Sequence, residues 1–223
     1  MKKYLTPIII TFTAIVSLIS CGYNSSSNYE KGRIAREKFV KDSLARAEFI
    51  QDSIATAQRN AEVIDRCASL FTIQTDEFTN KAWVMPKDAP KYRNSNGVYC
   101  YFATENGKPV KNFRFVYQYY ASDWLFIRSM IFNIDGENIT IIPKMETDCG
   151  DGGWIWEWCD ESVNYSSSGI NEEFIKKISN ASSVKVKMNG RQYYNIRELT
   201  EEQIQSIKNA YEYYLALGGS FSN

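Results

Sequence analysis

Trp154-Ile155-Trp156-Glu157-Trp158 packs three of the chain's five tryptophans into five residues. If the stretch is a strand, alternation puts all three indoles on one side. Such a row suits recognition, because large rigid aromatic surfaces anchor glycans, peptides and partner proteins. The same spacing suits a strand whose aromatic side packs under a helix as core, and Trp124 carries the same two readings. Carboxylates lie close by: Glu157, Asp160 and Glu161, with Asp123 upstream. Two carboxylates facing each other across a sugar can hydrolyse a glycosidic bond. Solvated charges at strand ends are the alternative, and sequence sets no distance between these groups. Asp148-Cys149-Gly150-Asp151-Gly152-Gly153 is an acidic, Gly-rich loop of the kind that can offer oxygen ligands to calcium. It lacks the EF-hand spacing and terminal glutamate, so a plain turn is expected and no metal site is assigned.

The chain has no histidine. The commonest general base and metal ligand is therefore missing, which excludes Ser-His-Asp and Cys-His sites and argues against a catalytic zinc. Ser166-Ser167-Ser168 has no base to activate it and reads as a loop. No catalytic residues and no cofactor are expected, and the protein is not expected to be an enzyme.

Cysteine is the other reactive type. Cys67, Cys100, Cys149 and Cys159 follow Cys21. Four cysteines allow three complete pairings. Cys149 and Cys159 are close enough in sequence to bridge across a turn, or some of the four are buried thiols. There is no CxxC pair, so a redox role has little support.

Cys21 differs from the others because of what precedes it. Lys2 and Lys3 form a basic start, Leu5 to Ile19 is mostly apolar, and Ser20 and Gly22 flank the cysteine. This is the pattern of a secretory signal. The apolar run is shorter than the roughly 20 residues of a spanning helix and is diluted by Pro7 and threonines. Leu18-Ile19-Ser20-Cys21 resembles the bacterial lipobox. The resemblance implies cleavage before Cys21 and a lipid on its thiol, with acyl chains such as palmitate holding the chain to a membrane. Each buried CH₂ adds about 0.8 kcal/mol, so several chains make a stable anchor. The expected location is the bacterial cell envelope, at the inner or the outer membrane.

The 26 basic residues equal the 26 acidic ones, and loss of Lys2 and Lys3 leaves the mature chain slightly acidic. No basic footprint for nucleic acid is present. With 15 Tyr, 12 Phe and 5 Trp, the chain can bury a core.

The elements follow in order. Residues 1–20 are the signal peptide and 21–28 a Ser/Asn linker. Residues 29–69 contain no proline, are rich in Ala, Glu, Arg, Lys and Gln, and predict an amphipathic helix. Val40, Leu44, Ala47, Ile50, Ile54, Ala57, Ala61 and Ile64 form one narrow stripe at a mean spacing near 3.4, close to the 3.5 of a coiled coil. Self-association through helix 40–64 to form a stalk is one reading, and docking on the body is the other. The segment resembles the charged helices that follow the lipid cysteine in lipoproteins of Bacteroidetes-like bacteria.

Residues 70–223 alternate apolar and polar residues between turn signals and predict an α+β domain. Strands are expected at 70–75, 81–85, 98–104, 111–119, 123–134, 138–145, 153–159, 183–188 and 191–196, in a mainly antiparallel sheet. Its centre is placed at 111–145, because 123–134 is apolar on both faces. Asn96-Gly97, Asn106-Gly107, Asp135-Gly136 and Asn189-Gly190 are candidate hairpin turns. Lys185 and Lys187 mark a strand with one wet face or a guarded edge. Asn171 caps a helix over 171–181, and Thr200-Glu201-Glu202-Gln203 is a capping box for a second helix that Gly218-Gly219 ends. Both helices should cover the sheet. The element order is similar to TATA-binding-protein-like and cystatin-like domains, while no characterised family is carried by a motif.

The function expected is a lipid-anchored binding module for an envelope protein partner. The alternatives are a lipoprotein that excludes phage or inhibits an enzyme, and a carboxylate-based glycan hydrolase.

Overall fold

The computed structural model of the chain describes residues 26–164 and 167–221. The signal sequence, Cys21 and Ser166 lie outside them. The chain divides into two units, residues 1–52 and 53–223.

Helix α1, Ser26–Ala68, has 43 residues. It begins three residues inside the predicted linker, because Ser26 and Ser27 carry no element that stops a helix. Arg33 pairs with Glu30 and Glu37 one turn to either side, which supports an exposed helix locally. Val40, Leu44, Ile50 and Ile54 of the stripe are exposed. So are Phe39 and Phe49, which lie off that stripe, so the apolar surface is broader than one seam. Among the described residues no helix is long and apolar enough to cross a membrane.

In the second unit the last turns of α1 leave solvent. Val63 and Ile64 pack against the core and Cys67 is fully buried. Among the described residues ten strands and two helices follow. β1 Phe71–Thr75, β2 Lys81–Pro86, β3 Gly97–Glu105, β4 Lys108–Ala121, β7 Glu146–Cys149 and β8 Ile155–Ser162 form one antiparallel sheet, ordered β1-β2-β3-β4-β8-β7. β5 Ser129–Ile134, β6 Glu137–Ile141, β9 Val184–Asn189 and β10 Tyr194–Glu198 form a second, ordered β10-β9-β5-β6. α2 is Glu172–Ser179 and α3 is Glu201–Ala216.

The fold class is α+β as the sequence predicts, with antiparallel pairing throughout the described residues. The single sheet centred on 111–145 is corrected to two sheets. β4 and β5 are not neighbours, because the predicted strand 123–134 is a strand only from Ser129. Residues 122–128 carry the chain from one sheet to the other. Their apolar side chains remain buried at Leu125 and Ile127, which is why the stretch reads as a two-sided strand.

One face of the larger sheet takes the core. Phe113, Phe115, Tyr117 and Tyr119 share that side of β4, as their spacing requires. Phe102 and Phe113 meet Tyr214 of α3 with rings 5.4 and 5.2 Å apart. Phe115 meets Phe174 of α2 at 5.5 Å and Phe132 of β5 at 6.2 Å. Both helices and the smaller sheet therefore stack on the same side, and aromatic edge-to-face contacts dominate the seam. The helix starts follow the predicted caps. Asn171 Oδ1 accepts the Phe174 N–H at 2.9 Å, and Thr200 and Gln203 complete a reciprocal capping box. Lys185 and Lys187 lie on the wet face of β9, an interior strand rather than an edge.

Asn106-Gly107 and Asp135-Gly136 turn with positive φ at both positions, as two-residue hairpins demand. Asn96-Gly97 does not turn, whereas Asn189-Gly190 leads into the β9–β10 hairpin, closed by Gly190 N–H donating to the Tyr193 carbonyl at 2.8 Å, with neither residue at positive φ. Gly97 starts β3, and Gly190 sits where a Cβ would lie 2.1 Å from the Leu125 carbonyl oxygen. Glycine serves close backbone approach at Gly190 rather than a left-handed conformation.

Candidate functional site

The other face of the larger sheet carries the residues singled out by sequence. Alternation in β8 sends Ile155, Glu157 and Cys159 into the core and leaves Trp156, Trp158 and Asp160 on the outer side. Register sets Trp156 beside Tyr120, Trp158 beside Gln118 and Asp160 beside Val116. β3 adds Tyr99 and Tyr101, and β2 adds Trp83. Trp83 meets Tyr101 edge-on at 5.6 Å, and Tyr101 lies 6.3 Å from Tyr99.

Asp160 is the polar centre of this face. It accepts hydrogen bonds from Arg114 Nε at 2.7 Å and from the Tyr101 hydroxyl at 2.9 Å. Arg93 reaches the same carboxylate at 3.3 Å. Arg114 also donates to the Asp160 carbonyl at 2.6 Å and to Ser162 Oγ at 3.2 Å. Burial, and then the Asp160 charge, push the Tyr101 hydroxyl well above its ordinary pKa. The phenol therefore stays a hydrogen-bond donor at any physiological pH.

Residues 87–96 form an irregular strap over the middle of the face. Pro90 packs on Gly97, and the Arg93 guanidinium lies 5.4 Å from the Trp158 ring centre. Asn96 Oδ1 accepts the Tyr120 N–H at 2.8 Å and also pairs with Arg197. Two buried polar atoms at the strap, Arg93 Nη1 and Gln118 Oε1, have no hydrogen-bond partner. Each such atom costs about 1–3 kcal/mol, so the strap is the least satisfied part of this face.

Beyond the strap the face opens. Trp154, just before β8, is 48% exposed and stacks on Tyr120 with ring centres 4.9 Å apart and planes 19° from parallel. The three indoles thus lie on one side of the chain, with Trp156 and Trp158 half-buried and only Trp154 open. Trp124 is half-buried against the core and stacks on Phe126 at 5.2 Å.

The carboxylates do not form a facing pair in an open cleft, because Glu157 is withdrawn into the core. Glu157 is fully buried on the core side, where its two oxygens take the N–H groups of Leu125, Phe126 and Ile127 at 2.8, 2.7 and 2.7 Å. Successive amides turned onto one carboxylate form an anion-binding nest. Asp160 is on the opposite face of the sheet. Glu161 accepts the Lys144 N–H at 2.7 Å and lies four residues, about 13 Å, along the strand from Glu157. Burial and three backbone partners leave Glu157 no access to a sugar, so it cannot serve as one of a catalytic pair with Glu161. Asp123 is exposed and bonds the N–H of Trp124.

The Gly-rich loop is the β7–β8 hairpin turn, closed by Gly150 N–H donating to the Trp154 carbonyl at 3.0 Å. Cys149 and Cys159 are free thiols, which corrects the predicted bridge. Cys149 is exposed on β7 opposite Ile155, while Cys159 is four residues further along β8 and buried opposite Tyr117. A separation of about 13 Å along the strand is beyond disulfide reach. Burial raises the Cys159 thiol to about 12 and Cys100 well above its ordinary value.

Arg93, Arg114, Tyr101 and Trp83 were not singled out by sequence. They come from the strap and three strands, and only register joins them. The available signal was alternation, which sets Arg114 opposite in sense to Phe113 and Phe115.

No protein-family model matches the chain, and no curated protein and no solved structure matches it. The likeness in element order to cystatin-like and TATA-binding-protein-like domains therefore has no solved structure behind it.

Proposed function

We propose that this chain is a lipid-anchored envelope protein, tethered through Cys21, whose folded unit binds another envelope protein. The anchor rests on Leu18-Ile19-Ser20-Cys21 and the basic-apolar start before it. Binding rests on one observation above others. Trp154 presents an exposed indole, held rigid on Tyr120, at the open end of an aromatic face that neither α2 nor α3 covers. A half-exposed tryptophan backed by a second ring loses little entropy when a partner covers it, and aromatic and Arg side chains are the usual anchors of interfaces. Further along the same face, Tyr101, Asp160, Arg114 and Arg93 form a fixed polar cluster.

The test is envelope crosslinking followed by pull-down, with wild type beside Trp154→Ala. Wild type should enrich one protein reproducibly and Trp154→Ala should lose it. Recovery of the same background from both sinks the binding reading. For the anchor, labelling with a fatty-acid analogue should mark wild type and not Cys21→Ser. Equal labelling of the two would remove Cys21 from that role.

A further inference from the structure

The two sheets have four edge strands: β1 and β7 in the larger, β10 and β6 in the smaller. An open edge is a template for another strand, and proteins guard it with charge, proline or a bulge. Three of these edges carry charge. β7 is Glu146-Thr147-Asp148-Cys149, β10 contains Arg197 and Glu198, and β6 starts at Glu137. β1 is different. Phe71-Thr72-Ile73-Gln74-Thr75 has no charge and no proline, and β-branched or aromatic residues fill four of its five positions. Thr72 to Thr75 are exposed.

We propose that β1 pairs with β1 of a second copy of this chain, antiparallel about a two-fold axis at Ile73. The two larger sheets then continue into one. On such an axis Ile73 faces its own symmetry mate, Thr72 faces Gln74 and Phe71 faces Thr75. A two-fold axis sets the central residue against itself, so any charge there would meet a like charge. An uncharged, β-branched residue at the centre is what this symmetry needs. Ile73 is 63% exposed in the single copy and shares the side of Val84. The mate's Ile73 covers it.

The direction of pairing accounts for two more exposed apolar residues. Antiparallel strands carry the β1–β2 turn of one copy past the start of β1 in the other, level with Leu70, which is 40% exposed. That turn presents Phe78 at 93% exposure. It is a built turn. The Asp76 carboxylate takes the Phe78 N–H at 2.8 Å and the Thr79 hydroxyl at 2.7 Å. The hydrogen bonds it accepts from Phe78 and Thr79 hold Asp76 below the usual carboxylate range. An extended segment of an unrelated protein would satisfy the β1 backbone, yet it gives no reason for apolar residues on both sides of an uncharged centre. The surface involved is smaller than the roughly 1,600 Å² of a standard interface, so a weak, concentration-dependent dimer is expected.

Full-length protein in detergent, carrying Cys149→Ser to remove the exposed thiol, tests this. Ile73→Cys puts two thiols opposite each other at the axis, with Cβ atoms about 5 Å apart. Mild oxidation should give a disulfide-linked homodimer, and Tyr194→Cys on the exposed part of β10 should not. Ile73→Lys sets two ammonium groups together and should weaken the dimer about tenfold or more in sedimentation equilibrium. The proposal is overturned if wild type stays monomeric at the highest concentration reached. It is overturned too if Ile73→Cys cross-links no faster than Tyr194→Cys. A dimer unchanged by Ile73→Lys would assign self-association elsewhere and also sink it. So would an Ile73→Cys cross-link formed in cells to a different protein without any homodimer. None of these readouts depends on Trp154, so they stand apart from the partner-binding test.

Discussion

The Glu157 carboxylate accepts the backbone N–H of Phe126 at 2.7 Å, and Phe126 holds φ at 52° to present it. A bulky residue at positive φ is uncommon and costs about 1–3 kcal/mol. Three charge-assisted hydrogen bonds offset that cost. They hold the segment that carries the chain from the larger sheet to the smaller one.

Glu157→Gln should therefore destabilise the folded unit more than an ordinary polar exchange. One oxygen can still accept two N–H groups, but the amide NH₂ would face the third. A loss of about 2–3 kcal/mol is expected, and about 3–5 kcal/mol for Glu157→Ala, which leaves all three amides unpaired in the core. Urea unfolding followed by circular dichroism measures it. A loss below about 1 kcal/mol for the alanine variant would contradict a structural role.

Gly190 supports the same segment from the other side. Arg191 N–H donates to the Leu125 carbonyl at 3.0 Å, and the approach leaves no room for a Cβ at position 190. Gly190→Ala should cost about 2–4 kcal/mol through forced backbone movement. Gly107→Ala lies in open space and pays only for its positive φ, so it should cost about 1 kcal/mol. Thermal melts of the two variants should rank in that order.

Asp160→Asn should weaken a network that is only partly screened, since its side chain is 20% exposed. The expected loss is about 1–2 kcal/mol. The sharper readout is Tyr101. Without the carboxylate one cause of its raised pKa is gone, and its phenol should ionise at lower pH in an ultraviolet titration. An unchanged titration would contradict the coupling.

The pH dependence follows from groups whose folded pKa is raised. Burial raises Tyr101, Tyr117, Cys100 and Cys159, and burial with Glu172 raises Tyr211 to about 12. The unfolded values are about 8.5 for cysteine and 10 for tyrosine. Their stabilising contribution is complete below those values. It is lost as pH rises through the folded ones, because the unfolded chain then binds fewer protons. The melting temperature should stay level from about pH 6 to 8, since no histidine titrates there, and fall steadily above about pH 9. A decline across neutral pH would overturn this.

Periodicity made much of the fold readable. Alternation in 111–119 and 155–162, the capping residues Asn171 and Thr200, and the glycine pairs at 106–107 and 135–136 each act over a few residues, where local geometry decides. The misreadings share one cause. Residues 123–128 have the pattern of a two-sided strand, but Glu157, some thirty residues away, claims their amides. Asn189-Gly190 has the chemistry of a left-handed turn and does open the β9–β10 hairpin, but its glycine is needed for the close approach of the Leu125 carbonyl rather than for a positive φ.

Sequence alone determined the α+β class, the long helix, the antiparallel pairing, the absence of histidine chemistry and the expectation of a lipid at Cys21. These follow from composition and from interactions between near neighbours. Tertiary structure alone decided that there are two sheets, that Trp154 is open while Trp156 and Trp158 are half-covered, and that Glu157 and Asp160 face opposite sides. It also joined Arg93, Arg114, Tyr101 and Asp160. Those outcomes depend on strand register and on which distant group satisfies a buried amide or charge, and no local pattern encodes a partner that far along the chain.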